Sequence, residues 1–193
     1  MSRFAVTLRQ ARSGDAPVLA SLWSGQLRRG TVEEQVADCL ALIARAETDP
    51  TQRLLVAELD GETAGAVLLE STTASAINRE PVISVVAPRV FDRFRRHGVG
   101  SALVEAGVQF ADDLGVAHVG VAATAGSRDA NRFMARLSLA PVAMWRVSTT
   151  AAVRSRLGAV RPSAARSGAS AGSRQIDRVL AARRLRRRDE VPS

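Results

Sequence analysis

The 193-residue chain contains no lysine and no tyrosine, a single cysteine and two histidines. Without lysine a Walker-type loop is excluded, because that loop needs one directly after its glycines to reach the phosphates. The lone Cys39 cannot close an internal disulfide, and its place among Val36, Leu40 and Ile43 reads as a small core position. Two histidines and one cysteine, widely spaced, form no metal-ligand pattern, so no metal is expected. No apolar run approaches the roughly 20 residues of a spanning helix, so no membrane span is expected. The first residues lack the apolar segment of a secretory leader, which makes a cytoplasmic location the default expectation. What the chain does have is apolar residues at 46%, ample for a packed core.

Arginine supplies all the positive charge, and it is unevenly placed. Residues 1–150 hold 16 Arg against 16 Asp plus Glu, whereas residues 151–193 hold 11 Arg against three acids. The net charge of +8 therefore sits in the tail. This predicts a neutral domain over residues 1–158 and a basic, arginine-rich flexible tail over 159–193. Apart from Val160, residues 160–173 are Ser, Ala, Gly, Pro and Arg, a linker composition. Residues 176–188 are basic with a short apolar set, Ile176, Val179 and Leu180. Two readings of the tail stay open. One is weak contact with nucleic acid or an acidic partner, driven by counterion release. The other is a solubilising end that reflects an arginine-favouring composition. No aromatics interleave the arginines, so base stacking is not indicated.

The chain is organised around one turn. An apolar run over residues 82–91 leads into Arg95-Arg96-His97-Gly98-Val99-Gly100-Ser101, and a helical pattern follows at once. A helix N-terminus presents unpaired N–H groups and the positive end of the dipole, which suits an anion. Gly98 and Gly100 remove side chains where a phosphate approaches the backbone, and Arg95 and Arg96 add matching donors. A dinucleotide fingerprint needs a third glycine, but Leu103 stands there. An ordinary strand–helix turn with a solvated basic face is the plain alternative.

Along the chain, residues 4–9 alternate as a first strand. Asp15 as N-cap and Pro17 in the first turn suggest a helix start carrying Val18, Leu19, Leu22, Trp23 and Leu27 on one face. Thr31 with Glu34 forms a capping box for a second helix buried through Val36, Cys39, Leu40 and Ile43. Residues 53–59 and 63–70 read as strands around an Asp60-Gly61 turn. Pro88 within the next strand predicts a bulge or an edge. The helix after the glycines buries Leu103, Gly107, Phe110 and Leu114 and stops at Gly115. Residues 116–123 form a strand. Ser127 can cap a short helix with Ala130, Phe133, Met134 and Leu137 on its apolar side, and residues 141–147 are a last strand. Residues 151–157 make either one more helix or a further strand. The order β-α-α-β-β-β-α-β-α-β predicts an α/β (α+β) fold. Its mixed, mostly antiparallel sheet carries one parallel pair formed by a right-handed crossover and is flanked by helices.

The pattern Arg/Gln-x-x-Gly-x-Gly/Ala, met by residues 95–100, resembles the pyrophosphate motif of the GCN5-related N-acetyltransferases, and the element order over about residues 3–148 is similar to theirs. The resemblance implies a parallel strand pair that splays beside a bulge and acetyl-CoA as cosubstrate. It also implies N-acetylation of a primary amine on a small molecule or peptide. It carries cofactor binding onto Val90, Arg95, Arg96, His97, Gly98, Val99, Gly100, Ser101 and Ser127. Aligned without a gap, Val90 and Asp92 fall on the family's Val-x-Pro and Phe94 on its usual aromatic, with Pro88 four residues earlier. Pro88 has no N–H, so Val90 is the expected donor to the thioester carbonyl. A homodimer is left open.

The sequence also departs from the family. The tyrosine that often serves as acid has Met134 in its place, the Gly-Phe pair is Ser138-Leu139, and residues 82–91 hold no acid. Three explanations stay open: water-mediated deprotonation with CoA thiolate leaving unaided, an acid role for Ser127 or another residue, or an acyl-CoA-binding module without turnover. Glu70 and Glu80 are expected to be solvated, His97 a phosphate-side or exposed residue and His118 a strand residue, none of them the catalyst.

Overall fold

The computed structural model describes residues 5–122, 128–142 and 147–160. It divides into two units at Ala140–Pro141. The first unit is built on a five-stranded sheet, β1 (Val6–Gln10), β2 (Gln52–Leu59), β3 (Glu62–Thr73), β4 (Pro81–Val90) and β5 (Val119–Ala122), in that spatial order. The first four strands are antiparallel to their neighbours and β5 runs parallel to β4. The hairpin between β2 and β3 turns on Asp60 and Gly61, both with positive φ (53° and 80°), the twist-matched conformation that an Asp-Gly pair favours.

Helices α1 (Ala16–Leu22) and α2 (Val32–Thr48) cover one face of the sheet, and α3 (Val99–Leu114) covers the other. The central strand β3 feeds both cores, with Ala66 and Leu68 toward α1 and α2 and Val67 and Leu69 toward α3. This two-sided burial explains its unbroken apolar run over residues 64–69. Thr31 caps α2 reciprocally: its Oγ1 accepts from the Glu34 N–H, and the Glu34 carboxylate accepts from the Thr31 N–H at 2.8 Å. Gly115, left-handed at φ 66°, ends α3. Gly107 lets α3 approach β4, since a Cβ there would lie 2.5 Å from Val85 Cγ2.

Three expectations about faces and caps are corrected. Leu40 is exposed, and α2 buries Cys39, Ile43 and Ala46 instead. Leu40 lies about 100° round the helix from Cys39, past the edge of the apolar stripe. Leu114 is exposed at the end of α3, where Ala111 is buried in its place. Asp15 does not cap α1 through its side chain. Its carboxylate instead accepts from the Arg12 N–H at 2.7 Å and takes the Arg9 guanidinium at 2.7 and 2.9 Å. Arg9 also reaches Glu58 at 2.6 Å, which ties β1 to β2 and to the entry of α1.

Helix α4 (Arg128–Arg136) completes the first unit, with Phe133 and Met134 half-buried and Leu137 exposed just beyond its end. In the second unit α5 (Thr150–Val160) is a helix, which settles the helix-or-strand alternative for residues 151–157. The strand expected over 141–147 falls partly outside the described residues. No helix among the described residues is long and apolar enough to cross a membrane.

Candidate active site

Strand β4 carries the first half of the site. Its pairing with β3 slips between Leu68↔Val86 and Ala66↔Arg89, so Ala87 and Pro88 together oppose Val67 alone. This is the bulge that Pro88 signals: a residue with no N–H is tolerated where the ladder is already broken. Ala87 adopts φ 48°, an uncommon conformation for a residue with a Cβ. Trp23 at the end of α1 holds it there, its Nε1–H donating to the Ala87 carbonyl at 2.9 Å.

Beyond the bulge the antiparallel ladder resumes. The Phe91 N–H donates to the Ala64 carbonyl at 2.9 Å. Alternation then places the Arg89 and Phe91 backbone toward β3 and turns the Val90 N–H and C=O to the opposite edge. On that edge the β4–β5 ladder covers Ile83–Val86 and Val119–Ala122. The Val90 N–H therefore faces the edge of β4 beyond the last described β5 partner. Gly65 allows the close pass opposite, since a Cβ there would lie 2.5 Å from the Arg89 carbonyl oxygen.

The turn after β4 carries the second half. A short 3-10 turn at Asp92–Phe94 precedes Arg95, and left-handed Arg96 (φ 65°) and Gly98 (φ 85°) direct the chain into α3. The first helical bond of α3 runs from the Ala102 N–H to the Gly98 carbonyl at 3.0 Å. The helix itself thus provides no partner for the N–H groups of Val99, Gly100 and Ser101. A Cβ on Gly98 would meet nothing within 4 Å, and one on Gly100 only Val90 Cγ2 at 4.0 Å. Arg95 is held by Asp92, with Nη2 at 2.7 Å from Oδ1.

These two halves line a single cleft of about 1060 Å³. Of the residues singled out from the sequence, Val90, Arg95, Arg96, Gly98, Gly100 and Ser101 share it, and Met134 of α4 lines it as well. Val99 instead points into the α3-side core, 1% exposed, and anchors the start of the helix. His97 is exposed, its Nδ1 at 2.8 Å from the Arg95 carbonyl oxygen. Ser127 lies outside the described residues. Glu70 lies 3.6 Å from Arg45, Glu80 lies 3.6 Å from His118, and none of the four lines the cleft.

The cleft also contains residues the sequence did not flag. Asp129 is its carboxylate among the described residues, and Arg89 and Gln26 line it from the bulge and from the loop between α1 and α2. Neither has a local sequence signature, because long-range packing brings them there. Among the described residues no group of three His, Cys, Asp or Glu is placed to hold a metal ion. The buried Cys39 lies in the α1–α2 core, and burial pushes its thiol pKa up.

Chemically, the arrangement offers an anion cradle at a helix N-terminus, an exposed strand edge running from it, and one backbone donor on that edge. Known proteins share this fold. Three solved structures cover about three quarters of the chain. A transcriptional regulator from Bacillus halodurans C-125 is 19% identical (75% of this chain, 99% of that one, TM-score 0.64). An aminoglycoside N-acetyltransferase in complex with CoA is 14% identical (76% and 95%, TM-score 0.62). A glucosamine-6-phosphate N-acetyltransferase from Arabidopsis thaliana is 15% identical (76% and 99%, TM-score 0.59). At these identities the likeness shows the fold. No curated protein matches the sequence. The family described as acetyltransferase (GNAT) matches residues 19–138, well over half the chain and including β4, the turn and α3. The chain belongs to the GNAT acetyltransferase family.

Proposed function

We propose that the protein transfers an acetyl group from acetyl-CoA to a primary amine. The observation that carries this reading is the shared cleft, in which the glycine turn at the start of α3 and the outward-facing Val90 N–H lie on one wall. The pyrophosphate of acetyl-CoA fits the first turn of α3, where the N–H groups, the helix dipole, Arg95 and Arg96 favour an anion. The pantetheine then follows the edge of β4, and the thioester carbonyl reaches the Val90 N–H.

The amine nitrogen attacks the carbonyl carbon as a C–N bond forms. Negative charge develops on oxygen, where the Val90 N–H stabilises it. The C–S bond breaks and CoA leaves as thiolate, and the proton lost by the amine passes to water or to a nearby base. Met134, half-buried on the cleft wall, has no proton to give. Asp129 lies in the same cleft within reach of solvent and is a candidate to relay the amine proton through water. Two of the similar structures are named as N-acetyltransferases of glucosamine-6-phosphate and of an aminoglycoside, which is consistent with a small-molecule acceptor.

Met134 also favours a second reading, an acyl-CoA-binding module that turns over slowly and whose arginine tail contacts nucleic acid or an acidic partner. A thiol-release assay with acetyl-CoA and a panel of amines separates the two. Amine-dependent release supports transfer. Tight acetyl-CoA binding without release for any amine supports the module.

A further inference from the structure

We propose that the acceptor is an amine that also carries an anionic group, a carboxylate or a phosphate, and that Arg89 reads that group. The inference rests on the acetyl-transfer reading above and names its substrate class.

Three arginines among the described residues are half-buried: Arg9, Arg53 and Arg89. Arg9 is bound by Asp15 and Glu58, and Arg53 by Asp113 at 2.9 Å. Arg89 meets no carboxylate among the described residues, although it lines the cleft. A guanidinium drawn partly out of water is ordinarily matched by an anion, and its planar fork suits carboxylate and phosphate alike.

The side of the sheet on which Arg89 lies separates it from the phosphate turn. After the bulge the register is regular, so Arg89 shares a face with Phe91, which packs on the α1–α2 core. Val90, between them, packs on the α3 core. Arg89 accordingly extends toward the loop between α1 and α2, its Nη2 4.0 Å from where a Cβ on Gly25 would stand. The glycine turn opens onto α3, on the other face. A thioester held from the α3 side presents its carbonyl at Val90, and the amine approaches from the side of Arg89. Because Arg89 and Val90 are adjacent, the anion on the acceptor lies only a few bonds from its amine. The cleft adds Arg95, Arg96, Arg132 and Arg136 against Asp129, so a polycationic acceptor is disfavoured.

The test uses the full chain and four probes. β-Alanine and O-phosphoethanolamine pair an amine with a carboxylate or a phosphate, whereas ethanolamine and spermidine carry no anion. Thiol release from acetyl-CoA and calorimetric binding to the CoA-saturated protein are measured for each. The expected result is that an anionic probe exceeds both others by about tenfold or more, and the leading one identifies the anion. Arg89→Gln removes the preference, Arg89→Lys restores part of it, and affinity for acetyl-CoA is unchanged in both. The inference is overturned if spermidine or ethanolamine leads, if no probe binds, or if Arg89→Gln keeps the preference. It is also overturned if Arg89→Gln weakens acetyl-CoA binding itself, which would make Arg89 a cofactor contact. If the wild-type protein fails to bind acetyl-CoA, the transfer reading falls as well. If it binds acetyl-CoA without anion preference, the Arg89 assignment alone falls.

Discussion

The indole of Trp23 and the carbonyl of Ala87 are joined by a 2.9 Å hydrogen bond across 64 positions of sequence. That bond fastens the end of α1 to the bulge of β4, where Ala87 holds a left-handed backbone. It therefore links the helical layer to the shape of the cleft. Trp23→Phe keeps most of the buried ring volume and removes the donor, leaving a half-buried carbonyl unmatched. The expected loss is about 1–3 kcal/mol of stability, read as a lower denaturant midpoint with unchanged slope. Acetyl-CoA affinity should fall with it, because the bulge sets the free edge of β4.

Two glycines separate folding from binding. Gly65→Ala drives a Cβ to 2.5 Å from the Arg89 carbonyl oxygen, a backbone atom that cannot rotate away. It should cost about 1–3 kcal/mol. Gly100→Ala meets only Val90 Cγ2 at 4.0 Å and should leave stability unchanged or raise it by up to about 1 kcal/mol. In the proposed binding mode its methyl stands where the phosphate approaches the helix, so acetyl-CoA affinity should drop while the melting temperature does not.

The Arg9–Asp15 pair predicts an acid limb of stability. The Arg9 hydrogen bonds hold the Asp15 carboxyl below its usual pKa. A depressed folded-state pKa means that the unfolded chain binds the proton first. The contribution is therefore complete above the unfolded value of about 3.9 and is lost as pH falls through the folded value. Asp15→Asn should be less stable than wild type at pH 7. The gap between the two thermal midpoints should shrink as pH falls from about 4 toward 2. A gap that stays constant with pH would mean that the pair contributes nothing through ionisation.

How far each of these features can be read in the sequence depends on how local its cause is. The Asp60-Gly61 hairpin, the Thr31–Glu34 box, the Gly115 stop and the Pro88 bulge all follow from backbone rules acting within a few residues, and all are legible. The glycine turn and the start of α3 are legible for the same reason. Helix faces are less so. Periodicity centres a stripe but does not fix its edge, so Leu40 and Leu114 read as buried and are exposed. Asp15 has a cap's sequence position, yet a tertiary partner, Arg9, takes its carboxylate. Gln26, Arg89 and Asp129 carry no local signature, because only the folded sheet brings the α1–α2 loop, the bulge and α4 around one cleft.

Met134 offers a gain-of-function test. It lines the cleft at the position where the resemblance implies a tyrosine acid. Met134→Tyr fits a half-buried site and supplies a hydroxyl that can protonate the leaving thiolate. If thiolate departure limits the rate, kcat for thiol release should rise by about tenfold or more, with little change in KM for acetyl-CoA. An unchanged kcat would show that thiolate leaves unaided or that the proton comes from elsewhere.

Calorimetric titration with acetyl-CoA, on the wild-type chain and on Gly100→Glu, tests the central claim most directly. The account predicts one site per chain with micromolar affinity, about −8 kcal/mol, in the wild type. It predicts loss of that binding in Gly100→Glu, where a carboxylate takes the place of the phosphate, with the thermal midpoint of the protein maintained. Equal binding by both proteins, or none by the wild type, would contradict it.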